Sequence, residues 1–193
     1  MIEYLDGIYR WFSKNRRPVA KLLQEGVTSE YFEKVTGILE LKLPIELKEL
    51  YMWRNGTANQ KGFTFGDIEF MPGFFFLPIE EAVDNYNSFK KDKKWNESWF
   101  PFMANGGGDF FVVNCKDDNM ARESSIIGFM LNEESHDVEY LNLKSMINTI
   151  YECYERGIYF LDTDGYVEVN LVKEAIVANV INPGLERWES EIQ

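Results

Sequence analysis

His136 is the one imidazole of the chain, and it sits in the polar run Glu133-Glu134-Ser135-His136-Asp137. Asp137 beside it could orient the ring as a general base. A base of that kind needs a nucleophile in a strained turn, and no Ser or Cys occupies one. Zinc needs three or four nitrogen and sulfur donors, which one histidine with Cys115 and Cys153 cannot supply at these spacings. His136 therefore reads as a surface-loop residue. Gly106-Gly107-Gly108 before Asp109 would let backbone amides approach an anion. Phosphate sites, however, run strand, glycines, helix, whereas here a turn leads into a strand and no Gly-Lys-Ser/Thr follows. Asp162-Thr163-Asp164-Gly165 with Glu168 lacks the alternating ligands and the twelfth-position glutamate of a calcium loop. The chain has 32 carboxylates, but no pair among them is marked out for glycoside cleavage. The expectation is a protein with no catalytic residues, no metal and no cofactor.

Charge points elsewhere. The formal net charge is −12, and residues 99–193 carry 17 acidic against 6 basic side chains. The acids cluster at Asp117-Asp118, at Glu133-Glu134 with Asp137 and Glu139, at Asp162 with Asp164, and at Glu186, Glu189 and Glu191. Such a face repels phosphate backbones, so direct nucleic-acid binding is not expected. It suits a basic protein, whose approach it would steer. Lys90-Lys91-Asp92-Lys93-Lys94 is the one basic run; it has no interleaved aromatic platform and reads as a solvated helix end.

The elements that must position these groups follow from the apolar pattern. With 45% apolar and 16% aromatic residues, a chain of 193 can bury a core as one domain. The N-terminus lacks the basic start and apolar run of a signal peptide, and no stretch approaches 18 uncharged apolar residues. Two distant cysteines within apolar segments read as buried thiols, so a cytoplasmic location is expected. Tyr4, Ile8, Trp11 and Phe12 recur at helical spacing, Thr28 can cap a second helix, and Leu43-Pro44 opens a third that stops at a left-handed turn at Asn55-Gly56. Phe63, Phe65 and Ile68–Phe70 read as strands. Phe74–Leu77 is a short strand before a helix that starts at Pro78. Strands at Trp99–Phe102, 109–113, 126–131 and 138–141 follow, then an amphipathic helix Leu143–Tyr154. A hairpin about Asp164-Gly165 and a helix over 171–180 close the chain. Helices, then antiparallel-looking strands, then helices give an α+β class, a mainly antiparallel or mixed sheet with helices packed on one face and flanking it.

Three segments in order resemble the SMI1/KNR4 (SUKH) superfamily: Leu43-Pro44 through Asn55-Gly56, Phe76-Leu77-Pro78 through Ala82, and Trp99-Phe100-Pro101-Phe102 with Asn105-Gly106 through Asp109. The resemblance covers about residues 28–156, leaving a helical N-terminal extension and a C-terminal hairpin–helix extension without counterparts. It implies an α+β fold without a shared catalytic centre. Many bacterial members are immunity proteins that bind and block a polymorphic toxin, often a nuclease, while fungal relatives act in cell-wall synthesis and signalling. The expected function is therefore that of a non-enzymatic immunity protein, with a regulatory scaffold as the alternative. Its partner would be a basic toxin domain, and Asp117, Asp118, Glu133, Glu134, Asp137 and Glu139 would steer the approach. Leu43, Pro44, Asn55, Gly56, Trp99, Pro101, Asn105, Gly106 and Asp109 match the family pattern and are expected to maintain the fold: tryptophan in the core, asparagine and glycine in turns, aspartate on free amides.

Overall fold

The computed structural model describes residues 1–58, 60–116 and 124–191. In chain order the elements are α1 (Ile2–Lys14), α2 (Val19–Leu22), β1 (Leu23–Glu25), α3 (Ser29–Thr36), α4 (Ile45–Trp53), β2 (Arg54–Thr57), α5 (Phe65–Ile68), β3 (Phe75–Phe76) and α6 (Ile79–Phe89). They continue as β4 (Trp99–Ala104), β5 (Phe110–Asn114), β6 (Ile126–Phe129), β7 (Val138–Tyr140), α7 (Leu143–Glu155), β8 (Tyr159–Leu161), β9 (Val167–Val169), α8 (Leu171–Ile181) and α9 (Glu186–Ser190).

Strands β3 to β7 form one antiparallel sheet in sequential order, while β1–β2 and β8–β9 are separate two-stranded ribbons. The α+β class expected from the sequence is what the chain adopts. Every residue of β6, and all of β5 but Asn114, is buried. Cover on both sides explains this. Phe110 and Phe129 meet Phe89 of α6 and Trp95, whereas Phe111, adjacent in the strand and so on the opposite face, meets Phe74 and Tyr140. Tyr140 in turn touches Trp188 of α9.

The two terminal segments belong to the same core. Buried apolar side chains from Leu5 to Trp188 make one cluster. Helix α1 lies on α7, with Trp11 4.4 Å and Phe12 5.4 Å from the Tyr154 ring. Arg17, at 4% exposure, donates to the carbonyls of Gly66 and Gly165 and lies 4.0 Å from the Glu69 carboxylate. Glu69 also accepts from the amides of Gly73 and Val167. One guanidinium therefore ties the first thirty residues, the middle of the chain and the C-terminal hairpin together.

Two expectations are corrected. Asn55-Gly56 does not form a turn; α4 ends at Trp53 and the pair lies inside β2, antiparallel to β1. The helix is ended by the chain becoming extended at Arg54, because Asn55 is needed elsewhere. Its Oδ1 accepts from the Ile79 amide (2.9 Å) at the start of α6, and its Nδ2 donates to Glu80. Gly56 has φ +68°, and a Cβ there would run into the backbone of Leu77 and Pro78. The segment read as strands at Phe65 and Ile68 is instead the helical turn α5. Thr64 and Asp67 close a reciprocal capping box at its start.

Candidate partner-docking surface

The acidic residues singled out by composition divide into three groups. Asp117 and Asp118 lie outside the described residues. Glu133, Glu134 and Asp137 are exposed together on the connection between β6 and β7. Glu139 belongs to neither group. It is half-buried in β7, its carboxylate against Gly128, where a Cβ would collide with Oε1. Burial pushes its carboxyl up to about 7, opposed by the Arg187 guanidinium. Glu139 therefore stands apart from the exposed acids of the β6–β7 connection. A half-buried carboxyl whose ionisation is opposed by burial projects less field into solvent than an exposed one.

Local hydrogen bonds hold the β6–β7 connection. The Glu133 amide donates to the Met130 carbonyl, and the Gly128 amide donates to the Asp137 carbonyl. Asp109 accepts from the Leu131 amide at 2.9 Å. Asp109 is itself set by Asn105, whose Nδ2 donates to it (2.6 Å) and whose Oδ1 accepts from the amides of Gly107 and Asp109. Gly106 and Gly108, at φ +76° and +104°, give the hairpin its left-handed positions. The Asn105–Asp109 turn therefore fixes the start of the acidic connection as well as its own hairpin.

Behind the acidic connection lies an aromatic wedge. The His136 ring packs 4.6 Å from Phe129 and 5.7 Å from Trp99, and its Nδ1 faces the Met130 amide. Burial lowers its pKa, against the pull of Glu133, and Nε2 has no hydrogen-bond partner. His136 is thus no simple surface residue, which corrects the sequence reading: alternating polar neighbours face water while the imidazole fills the gap between Phe129 and Trp99. Trp99 is half-buried at the start of β4 and also edges Trp95. Pro101 is buried within β4, beside a register shift that falls between it and Met103. Pro44 caps α4, and Leu43 packs half-buried against the core.

Among the described residues, Lys94 is the cation that touches the acidic connection. Lys94 lies 3.4 Å from Glu134 and reaches the Leu131 carbonyl. Glu134 is largely solvated, and pairs of that kind contribute little. Glu133 and Asp137 make no ion pair among the described residues. Among the described residues no three His, Cys, Asp or Glu side chains come together to hold a metal. No helix among them is long and apolar enough to cross a membrane. Both cysteines are free; burial pushes the Cys115 thiol up to about 12 and raises that of Cys153 as well, which suppresses thiolate chemistry. The surface presents charge on a frame braced by the Asn105–Asp109 turn.

Sequence comparison places this frame. Residues 26–167 match the profile of the SMI1 / KNR4 family (SUKH-1). No curated protein matches the chain.

Proposed function

Because the chain belongs to the SMI1/KNR4 family, we propose that it is a non-enzymatic immunity protein, which binds a basic toxin domain in the cytoplasm and covers that domain's active site or substrate groove. Members of the family are often immunity proteins and are associated with binding toxins. The observation that carries the reading to this chain is the exposed group Glu133, Glu134 and Asp137, held on a connection braced by Asp109 and the Asn105 turn. Fixed charges of one sign accelerate encounter with the opposite sign and set its register, while the packed centre of an interface supplies most of the affinity. A nuclease domain fits as partner because a surface made to hold phosphate is basic.

The test starts with the adjacent gene, which should encode a large secreted protein ending in a short basic domain. With that domain purified, association at 20 to 500 mM salt should slow by tenfold or more. Reversing Glu133, Glu134 and Asp137 to lysine should remove most of this dependence and slow association at low salt. An on-rate indifferent to salt and to the triple reversal would overturn the electrostatic reading. Failure of the domain to bind at all would overturn the function.

A further inference from the structure

Helix α8 has an apolar face that nothing among the described residues covers. Glu174, Ala175, Val177 and Ala178 point inward, with Glu174 accepting a hydrogen bond from the buried Tyr159 hydroxyl. On the outer side Leu171 is 60% exposed, Val172 57%, Ile176 47% and Val180 77%. Val172, Ile176 and Val180 follow one another at intervals of four and so form one stripe. Helices apolar all round are normally enclosed by protein, and α8 is enclosed on one side only. An open groove of about 230 Å³ runs along the stripe, walled on the α7 side by Asn148, Glu152 and Arg156.

The order of residues along α8 selects the occupant. Counted outward from Ile176, Val172 matches Val180 and Leu171 matches Ile181. A two-fold axis through Ile176 would therefore lay the helix antiparallel on its own copy with valine on valine. An isologous contact requires such self-complementarity. Lys173 would face Asn179 of the copy, so no like charges meet within the helix pair. The rim is neutral as well, since Arg156 and Glu152 pair with each other at 2.6 Å. A stripe without acidic residues on a chain of net charge −12 is a poor match for the basic partner proposed above, and a good match for itself.

We infer that the α8 stripe is a homodimer contact, with two copies packed antiparallel about Ile176 and each edging a valine toward the other's α7–α8 groove. The contact is one helix wide, short of the roughly 800 Å² per partner of stable complexes, so the dimer is a weak and reversible one. Salt acts oppositely on the two contacts: it screens repulsion between two acidic copies and weakens attraction to a basic domain. Failure of one reading therefore does not imitate failure of the other.

Sedimentation velocity on the full chain between about 5 and 500 µM should show monomer passing to dimer, with a larger dimer fraction at 300 mM than at 20 mM salt. Ile176→Glu and, separately, Val180→Glu should each reduce the dimer at least tenfold. Both side chains are solvated in the monomer, so circular dichroism should show native folding in both variants. Under mild oxidation Ile176→Cys should form a disulfide-linked pair, with the wild-type chain as the blank. A chain that stays monomeric to 500 µM overturns the inference. So does a dimer that tolerates both glutamates, or an Ile176→Cys protein that does not cross-link.

Discussion

Glu139 stands apart from its acidic neighbours in what it contributes to folding. Its carboxyl titrates at about 7 in the native protein against an ordinary value of 4.5, because burial disfavours the ionised form. Folding therefore takes up a proton between those two values, and stability falls as pH rises from about 4.5 to 7. Glu139→Gln should stabilise the protein at pH 8 by on the order of 2–3 kcal/mol and be nearly neutral at pH 4, as read from urea midpoints across the range. Glu69 and Glu174 are raised by burial too, so the variant should keep part of the slope. The sequence carried a signal for this inward turn that charge counting passes over. Val138-Glu139-Tyr140 alternates as a strand does, and the glycine of Ile126-Ile127-Gly128-Phe129 leaves room for a carboxylate in the neighbouring strand. His136 was harder to place. Five polar residues in a row give no hint that one ring will turn inward, because the gap it fills is closed by Trp99, distant in sequence, together with Phe129.

At the scale of elements, the close approach of β2 to the start of α6 explains why Asn55 and Gly56 occur together. Asparagine supplies the amide partner for Ile79, and glycine removes the atom that would keep the two backbones apart. Gly56→Ala should cost on the order of 3 kcal/mol or more, since it adds a collision with fixed backbone to a φ of +68°. Gly73→Ala is the control: φ there is +77°, but nothing lies within 4 Å of the new methyl, so thermal melts should show a loss of about 1 kcal/mol. The period of the sequence disclosed the main helices and the five sheet strands, because amphipathic spacing and alternation are local properties. It misassigned α5, where Phe63, Phe65, Ile68 and Phe70 mimic strand alternation while the Thr64–Asp67 box marks a helix start. It also assigned Asn55-Gly56 to a turn, since the pair occurs in turns and the contact that decides otherwise is with Pro78, more than twenty residues on.

Across the whole molecule, Arg17 and Glu69 join both terminal segments to the middle of the chain. Arg17→Met removes the charge that faces Glu69 and leaves the Gly66 and Gly165 carbonyls without their donor. Breaking a buried pair from one side costs about 3–5 kcal/mol, so a drop of that size is expected in the urea unfolding free energy. Glu69→Gln should cost less, because it leaves Arg17 both carbonyls. The acidic surface was legible in composition, but its true extent was not: charge counting sees that carboxylates are near one another in sequence, not which of them a fold turns inward.

The Arg17 clasp also fixes an order of events on the ribosome. Gly66 is made 49 residues after Arg17, and Gly165 only 148 residues after it. At about 5–20 residues per second, the arginine waits on the order of ten seconds for its last acceptor. The sheet, whose strands each pair with the next in line, can assemble meanwhile as it emerges. Helix α1 cannot be sealed until its partner α7 and the hairpin beyond it have been translated, so a segment made before the whole sheet is locked in place only after it.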